Sequence, residues 1–252
     1  MLDSKSDGGV PVAAAAVVAG PPLACAIKYE AIPALLFLDM QQEDEEKVAA
    51  AVQKLALLLY ESPANCAYSL CAIAVVLLLM RKWPCNRSIQ FHGCCVFAQL
   101  DPEKEFSFRM QGSCVYHLLS SPTVISNKSG AIETIMAAMK SFADDEFQVK
   151  GLTAIRSLFS SRDDHINSSM AHFVHKLNGI ELVVTVMKKF ENHASLQESG
   201  CLLLRRLSEK GELRDALKKG GALSAVAAAA EKSDGNSVQD IAAKTFFSNM
   251  FC

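Results

Sequence analysis

The sequence predicts an all-α protein assembled from repeated helix pairs, and three observations carry that reading. Two short motifs recur along the chain in a fixed order. Their apolar residues fall at helical spacing, and turn-forming residues separate them. Composition agrees: 50% of the 252 residues are hydrophobic but only 7% are aromatic, with Ala, Leu and Val plentiful, which favours helix over strand.

Taken in chain order, residues 10–26 are almost wholly apolar and carry Pro11, Pro21 and Pro22. Asp3 and Asp7 stand against Lys5 just before them, without the positive charge of a secretory signal. Residues 1–29 are therefore read as a low-complexity segment or a degenerate helical cap, and 30–252 as the repeat array. A degenerate early copy falls around Ala31-Ile32-Pro33. Residues 62–80 hold no charged side chain and precede Arg81-Lys82, so a membrane anchor made of this segment and the apolar N-terminus is the alternative to a scaffold. Pro63 and Asn65 weaken it, and its strongly apolar part, 71–80, is too short to span alone.

The first motif is CAIAVVLLLMRKW (71–83), GAIETIMAAMKSF (130–142) and NGIELVVTVMKKF (178–190), which align without a gap. They share Ile73, Ile132 and Ile180, then Met80, Met139 and Met187, then a basic residue and a closing aromatic. GALSAVAAAAEK (221–232) is a weaker fourth copy. The second motif is entered through Gln90, Gln148, Gln197 and Gln239, each followed three residues later by Gly93, Gly151, Gly200 or Ala242. A small residue there lets a neighbouring helix approach closely. Breakers such as Pro84-Cys85-Asn86 and Glu191-Asn192-His193 lie between the two motifs. Asp145 with Gln148, and Ser195 with Glu198, have the spacing of capping boxes. Residues 101–128 are irregular: either a truncated repeat centred on 112–119 or a long first helix plus a loop. Ser121-Pro122 through Asn127 reads as loop.

In order and content the motifs resemble armadillo repeats, well over 129–252 and fairly over 71–100. ELRDALKKGGALSAV (212–226) looks like the junction of the first and second helices, and QESGCLLLRRL (197–207) like a third helix. The resemblance implies a right-handed α-solenoid of about five armadillo-like repeats, the N-terminal ones degenerate, with an irregular insertion near 101–128. It also implies a concave groove lined by third helices, where an extended segment of a partner lies. One helix pair cannot bury both of its faces, so stacking is the physical reason for the repetition.

By that register the groove is lined by Cys95, Gln99, Thr153, Ser157, Leu202, Arg206, Lys244 and Ser248, with Arg156 and Arg205 one residue before the rim. Arg156, Arg205, Arg206 and Lys244 are expected to form a locally positive ladder suited to an acidic or phosphorylated peptide. Trp and Asn, which the nuclear-import adaptors of this fold carry in the groove, are absent from these positions.

Other chemistry finds little to attach to. The net charge of −2 gives no warrant for a nucleic-acid binder. Nine cysteines, in no paired CxxC spacing, read as buried reduced thiols of an intracellular protein. Cys85, His92, Cys94 and Cys95 match no common zinc pattern, and His172 with His175 lacks a carboxylate partner motif. No phosphate-binding glycine loop and no nucleophile elbow occurs. The expectation is a non-enzymatic scaffold or adaptor, cytoplasmic or nuclear, that takes a protein or peptide partner and no cofactor or metal.

Helices are expected near 130–142, 146–159, 178–190, 195–208, 212–219, 221–231 and 237–250. Ile132, Met139, Ile155, Ile180, Met187, Cys201, Leu204 and Leu207 should be buried. Phe246, Phe247, Met250 and Phe251 crowd the last turn, and part of that cluster is expected to be exposed and to mediate self-association.

Overall fold

The computed structural model describes residues 44–61, 75–99, 122–159, 166–232 and 238–251. Every regular element among them is a helix, so the chain is all-α there. In order these are α1 (Glu45–Glu61), α2 (75–82), α3 (Arg87–Ala98), α4 (Pro122–Ser141), α5 (Asp145–Leu158), α6 (Ile166–His175), α7 (Gly179–Lys189), α8 (Ala194–Ser208), α9 (Arg214–Lys219), α10 (Ala222–Glu231) and α11 (Val238–Phe251). A 3-10 turn, Gly211–Leu213, leads into α9. The expectations for 1–29, for the copy near Ala31, and for the truncated repeat at 112–119 lie outside the described residues.

The seven expected helices are present with ends displaced by a residue or two, except the first. Residues 122–129 are the first part of α4, which continues without a break through 141, so the loop expected through Asn127 is corrected. Pro122 is the first helical residue, where its missing N–H costs nothing and its fixed φ suits a helix.

The capping boxes are also corrected. The N-cap of α5 is Asp144, whose carboxylate accepts the Phe147 amide at 3.0 Å, and Asp145 is already helical. The N-cap of α8 is His193, whose Nδ1 accepts the Leu196 amide at 3.3 Å. Asn86 caps α3 in the same way, accepting from the Ile89 amide at 2.9 Å. Each cap stands four residues before its glutamine, and Asp144 and His193 lie one and two positions upstream of the residues that spacing suggested.

Packing follows a simple order. α1 lies on α3, α3 on α5, α5 on α8, and α8 on α11. A second row packs against them: α4 on α5 and α6, α7 on α6, α8 and α10, and α10 on α11. One continuous apolar core runs from Val48 in α1 to Met250 in α11. All eight expected core residues are buried within it, Leu204 and Ile155 completely. Val76, Leu77, Leu79 and Met80 of α2 belong to the same core. Among the described residues no helix is long and apolar enough to cross a membrane. Residues 62–74 lie outside them.

Asn178 and Gly221 sit in the left-handed region, φ 54° and 76°, as N-caps of α7 and α10. That conformation turns the chain sharply between a first helix and the next.

Candidate partner-binding face

The glutamines that mark the second motif do one job four times. Gln90 donates its Nε2 to the carbonyls of Met80 (2.6 Å) and Trp83 (3.0 Å). Gln148 donates to Met139 (2.7 Å) and Phe142 (2.9 Å), and Gln197 to Met187 (2.7 Å) and Phe190 (2.9 Å). Gln239 donates to the Ala229 carbonyl. The last carbonyls of a helix have no intrahelical donor. A buried amide from the following helix meets that need and sets the angle between the two helices. Both facing atoms are acceptors, so the amide must present its nitrogen.

The glycines complete the joint. A Cβ on Gly93, Gly151 or Gly200 would stand 2.5, 2.5 or 2.6 Å from an atom of Met80, Met139 or Met187. The methionine of one helix thus fills the space that glycine leaves in the next. In the fourth unit the same register holds Ala242 and Ala229, both buried, so a lost methionine is matched by a gained methyl.

Successive units are tied along two edges. At the turn edge, Asn86 donates to Glu45 (2.8 Å), Arg87 pairs with Asp144 (2.9 Å) and Glu146 (3.7 Å), and His193 Nε2 meets Asp145 (3.4 Å). Lys232 continues the row to Glu191 (3.2 Å) and to Asn192 (3.2 Å). Burial pushes the Asp144 carboxyl up, but the bonds from Arg87 and the Phe147 amide outweigh it and hold the carboxyl below its ordinary value. At the opposite edge, Ser157 donates to the Ala98 carbonyl (3.2 Å), Arg206 Nε to the Phe159 carbonyl (3.1 Å), and Asn249 to the Ser208 hydroxyl (3.1 Å). Each of these reaches back to the end of the preceding stacked helix.

That second edge changes the expected groove. Ser157 is buried, and the half-buried Arg206 spends its Nε on the preceding helix, so both also hold the stack together. Arg206 also pairs with Glu209, and Lys244 with Asp240 at 3.0 Å. Two of the four members of the expected locally positive ladder thus stand beside carboxylates three or four residues away. Cys95, Gln99, Thr153, Arg156, Leu202 and Arg205 are half-buried, and Lys244 and Ser248 are exposed. Cys95, Thr153, Leu202 and Lys244 each stand five residues after their glutamine, one per stacked helix. Thr153 spends its hydroxyl on the Val149 carbonyl (2.8 Å).

Cys94 is fully buried, as its register implied, and burial pushes its thiol well up. Burial likewise pushes Cys201 up to about 12. His172 pairs with Glu133 at 3.0 Å, joining α6 to α4. Among the described residues no three His, Cys, Asp or Glu side chains are grouped to hold a metal ion. In the last turn Phe246 and Met250 are buried and Phe251 is exposed, so only part of the aromatic cluster faces outward. The signal that separated them was helical phase: Ala243, Phe246 and Met250 share the core face, while Phe251 lies off it.

No family model and no curated protein matches the chain. Among solved structures, a crystal structure of an engineered protein is similar at 15% identity with a TM-score of 0.49, covering 87% of this chain and 96% of that one.

Proposed function

We propose that this chain is an armadillo-like α-solenoid that acts as a non-catalytic scaffold or adaptor in the cytoplasm or nucleus. The observation that carries the reading is the fourfold glutamine clasp, with its methionine-to-glycine joint in three units. A joint repeated in register places α3, α5, α8 and α11 side by side and makes one continuous face from residues far apart in sequence. On that face Thr153, Leu202 and Lys244, with Gln99, Arg156, Arg205 and Ser248 beside them, receive a segment of a partner protein. Mixed polarity suits a peptide whose backbone is held by polar groups and whose apolar side chain rests on Leu202. Arg156 and Arg205 favour an acidic side chain or a phosphate on that peptide.

Photo-crosslinking tests the reading. A crosslinking residue placed at Leu202 or Lys244 of the intact chain is expected to capture a discrete protein partner, while one at the exposed Lys188 of α7 captures none. Capture from α7 alone, or an enzymatic turnover lost on mutating Leu202, sinks the proposal.

A further inference from the structure

Four residues hold the same cap position in successive units, and only one of them is a histidine. Asp44 accepts from the Lys47 amide (3.3 Å), Asn86 from Ile89 (2.9 Å), Asp144 from Phe147 (3.0 Å) and His193 from Leu196 (3.3 Å). Carboxylate and amide caps do not change between about pH 5 and 8, whereas an imidazole does. The His193 ring has a second engagement. Its Nε2 stands 3.4 Å from the Asp145 carboxylate, in the unit before. A neutral ring with its proton on Nε2 keeps Nδ1 an acceptor for the Leu196 amide and places its N–H on the nitrogen nearer the carboxylate.

We propose that His193 makes the start of α8 an acid-sensitive joint between two units. Protonation places a hydrogen on Nδ1, which then repels the Leu196 N–H instead of accepting it. The same proton makes the ring a cation, so its hold on Asp145 strengthens. The first turn of α8 loses its side-chain cap while the turn is drawn toward α5. The Leu196 N–H keeps a backbone partner, the His193 carbonyl at 3.0 Å, so the turn loosens without unravelling. The corresponding tie one unit earlier uses Arg87, a permanent cation, on Asp144, and does not switch. The charged groups on the elements that meet here are Asp145 and Glu146 of α5, Lys188 and Lys189 of α7, Glu191 in the turn, Glu198 of α8, and Lys232, which pairs with Glu191. Lys189 is held on the Ala143 carbonyl at 3.0 Å. Gln197, whose amide clasps α7, lies in the loosened turn, so the angle between α7 and α8 responds to the proton.

The test is an NMR titration of the full chain. At about pH 8 the His193 nitrogen shifts are expected to report the tautomer protonated on Nε2. From there to about pH 5 the Leu196 amide should lose protection from exchange by about threefold or more relative to His193→Asn, after correction for the intrinsic rate. His193→Asn keeps a cap of the kind Asn86 provides and should show no such pH dependence. Asp145→Asn should keep the cap and reduce the acid-induced chemical-shift changes at the start of α5. A ring protonated on Nδ1 at high pH overturns the proposal, as does the same exchange profile in wild type and His193→Asn. Unchanged acid-induced shifts at the start of α5 in Asp145→Asn reject the charged half of the joint.

Discussion

At the scale of single residues, the glutamine amide and the glycine hydrogen decide more than their size suggests. Gln197→Ala removes the side-chain donor from the buried Met187 carbonyl, while the Phe190 carbonyl keeps the His193 amide at 3.0 Å. Urea unfolding should show a loss of about 1–3 kcal/mol, the usual range for orphaned buried polar groups. Gly200→Ala pushes a methyl into Met187 and should cost about 1–3 kcal/mol. Met187→Ala alone leaves a cavity and should cost about 2–5 kcal/mol. The double variant reproduces the Ala229 and Ala242 pairing of the fourth unit, so its loss should fall well short of the sum. An additive double-mutant cycle would show that the two side chains do not share that space. These pairs were visible in the sequence as a register of Met, Gln and Gly, because packing that recurs leaves a recurring pattern. What each residue touches was not visible, since a motif repeats positions and does not name contacts.

At the scale of elements, helix starts other than that of α4 were placed within a residue or two while the chemistry of two caps was misassigned. Asp144 and Asp145 are adjacent, and either fits a cap by type. Only the path of the preceding turn decides which carboxylate faces the Phe147 amide. The same limit explains Ser157 and Arg206. Their helical phase places them toward the groove side, but their partners, the Ala98 and Phe159 carbonyls, belong to the preceding stacked helix. No spacing within one helix shows that. Asp144→Asn keeps the cap and removes the charge that Arg87 meets. Because the folded Asp144 carboxyl is held below its ordinary value, wild type should be the more stable form above the unfolded carboxylate value near 3.9, by less than about 1 kcal/mol at this exposure. That advantage should vanish as pH falls through the lower folded value, which urea midpoints of both proteins between pH 7 and pH 2 would check.

Across the whole molecule, ties run between neighbours along two edges, and a local break should stay local. Arg87→Ala removes the turn-edge link between α3 and α5. Hydrogen exchange should quicken in the first turns of those helices, by about 0.5–1 kcal/mol in opening free energy, and stay unchanged in α11. Uniform loss of protection through α11 would mean that the chain opens as one block. Thiol accessibility gives an independent reading of the core. Cys85 is exposed, while Cys94 and Cys201 are buried with their thiols pushed up, so an alkylating reagent at neutral pH should modify Cys85 and spare the other two until denaturant is added.

The three joints also make the fold a matter of sulfur chemistry. Met80, Met139 and Met187 each press a thioether into a hollow too small for one more carbon, and all three are shielded from solvent. Oxidation to the sulfoxide adds a polar oxygen to each sulfur, for which these hollows offer neither room nor a donor. The folded chain should resist peroxide at these positions. A chain treated with peroxide while unfolded in denaturant should fail to regain its helical circular dichroism on dilution, and methionine sulfoxide reductase should restore it. Once made, the structure guards the reduced state that its making required.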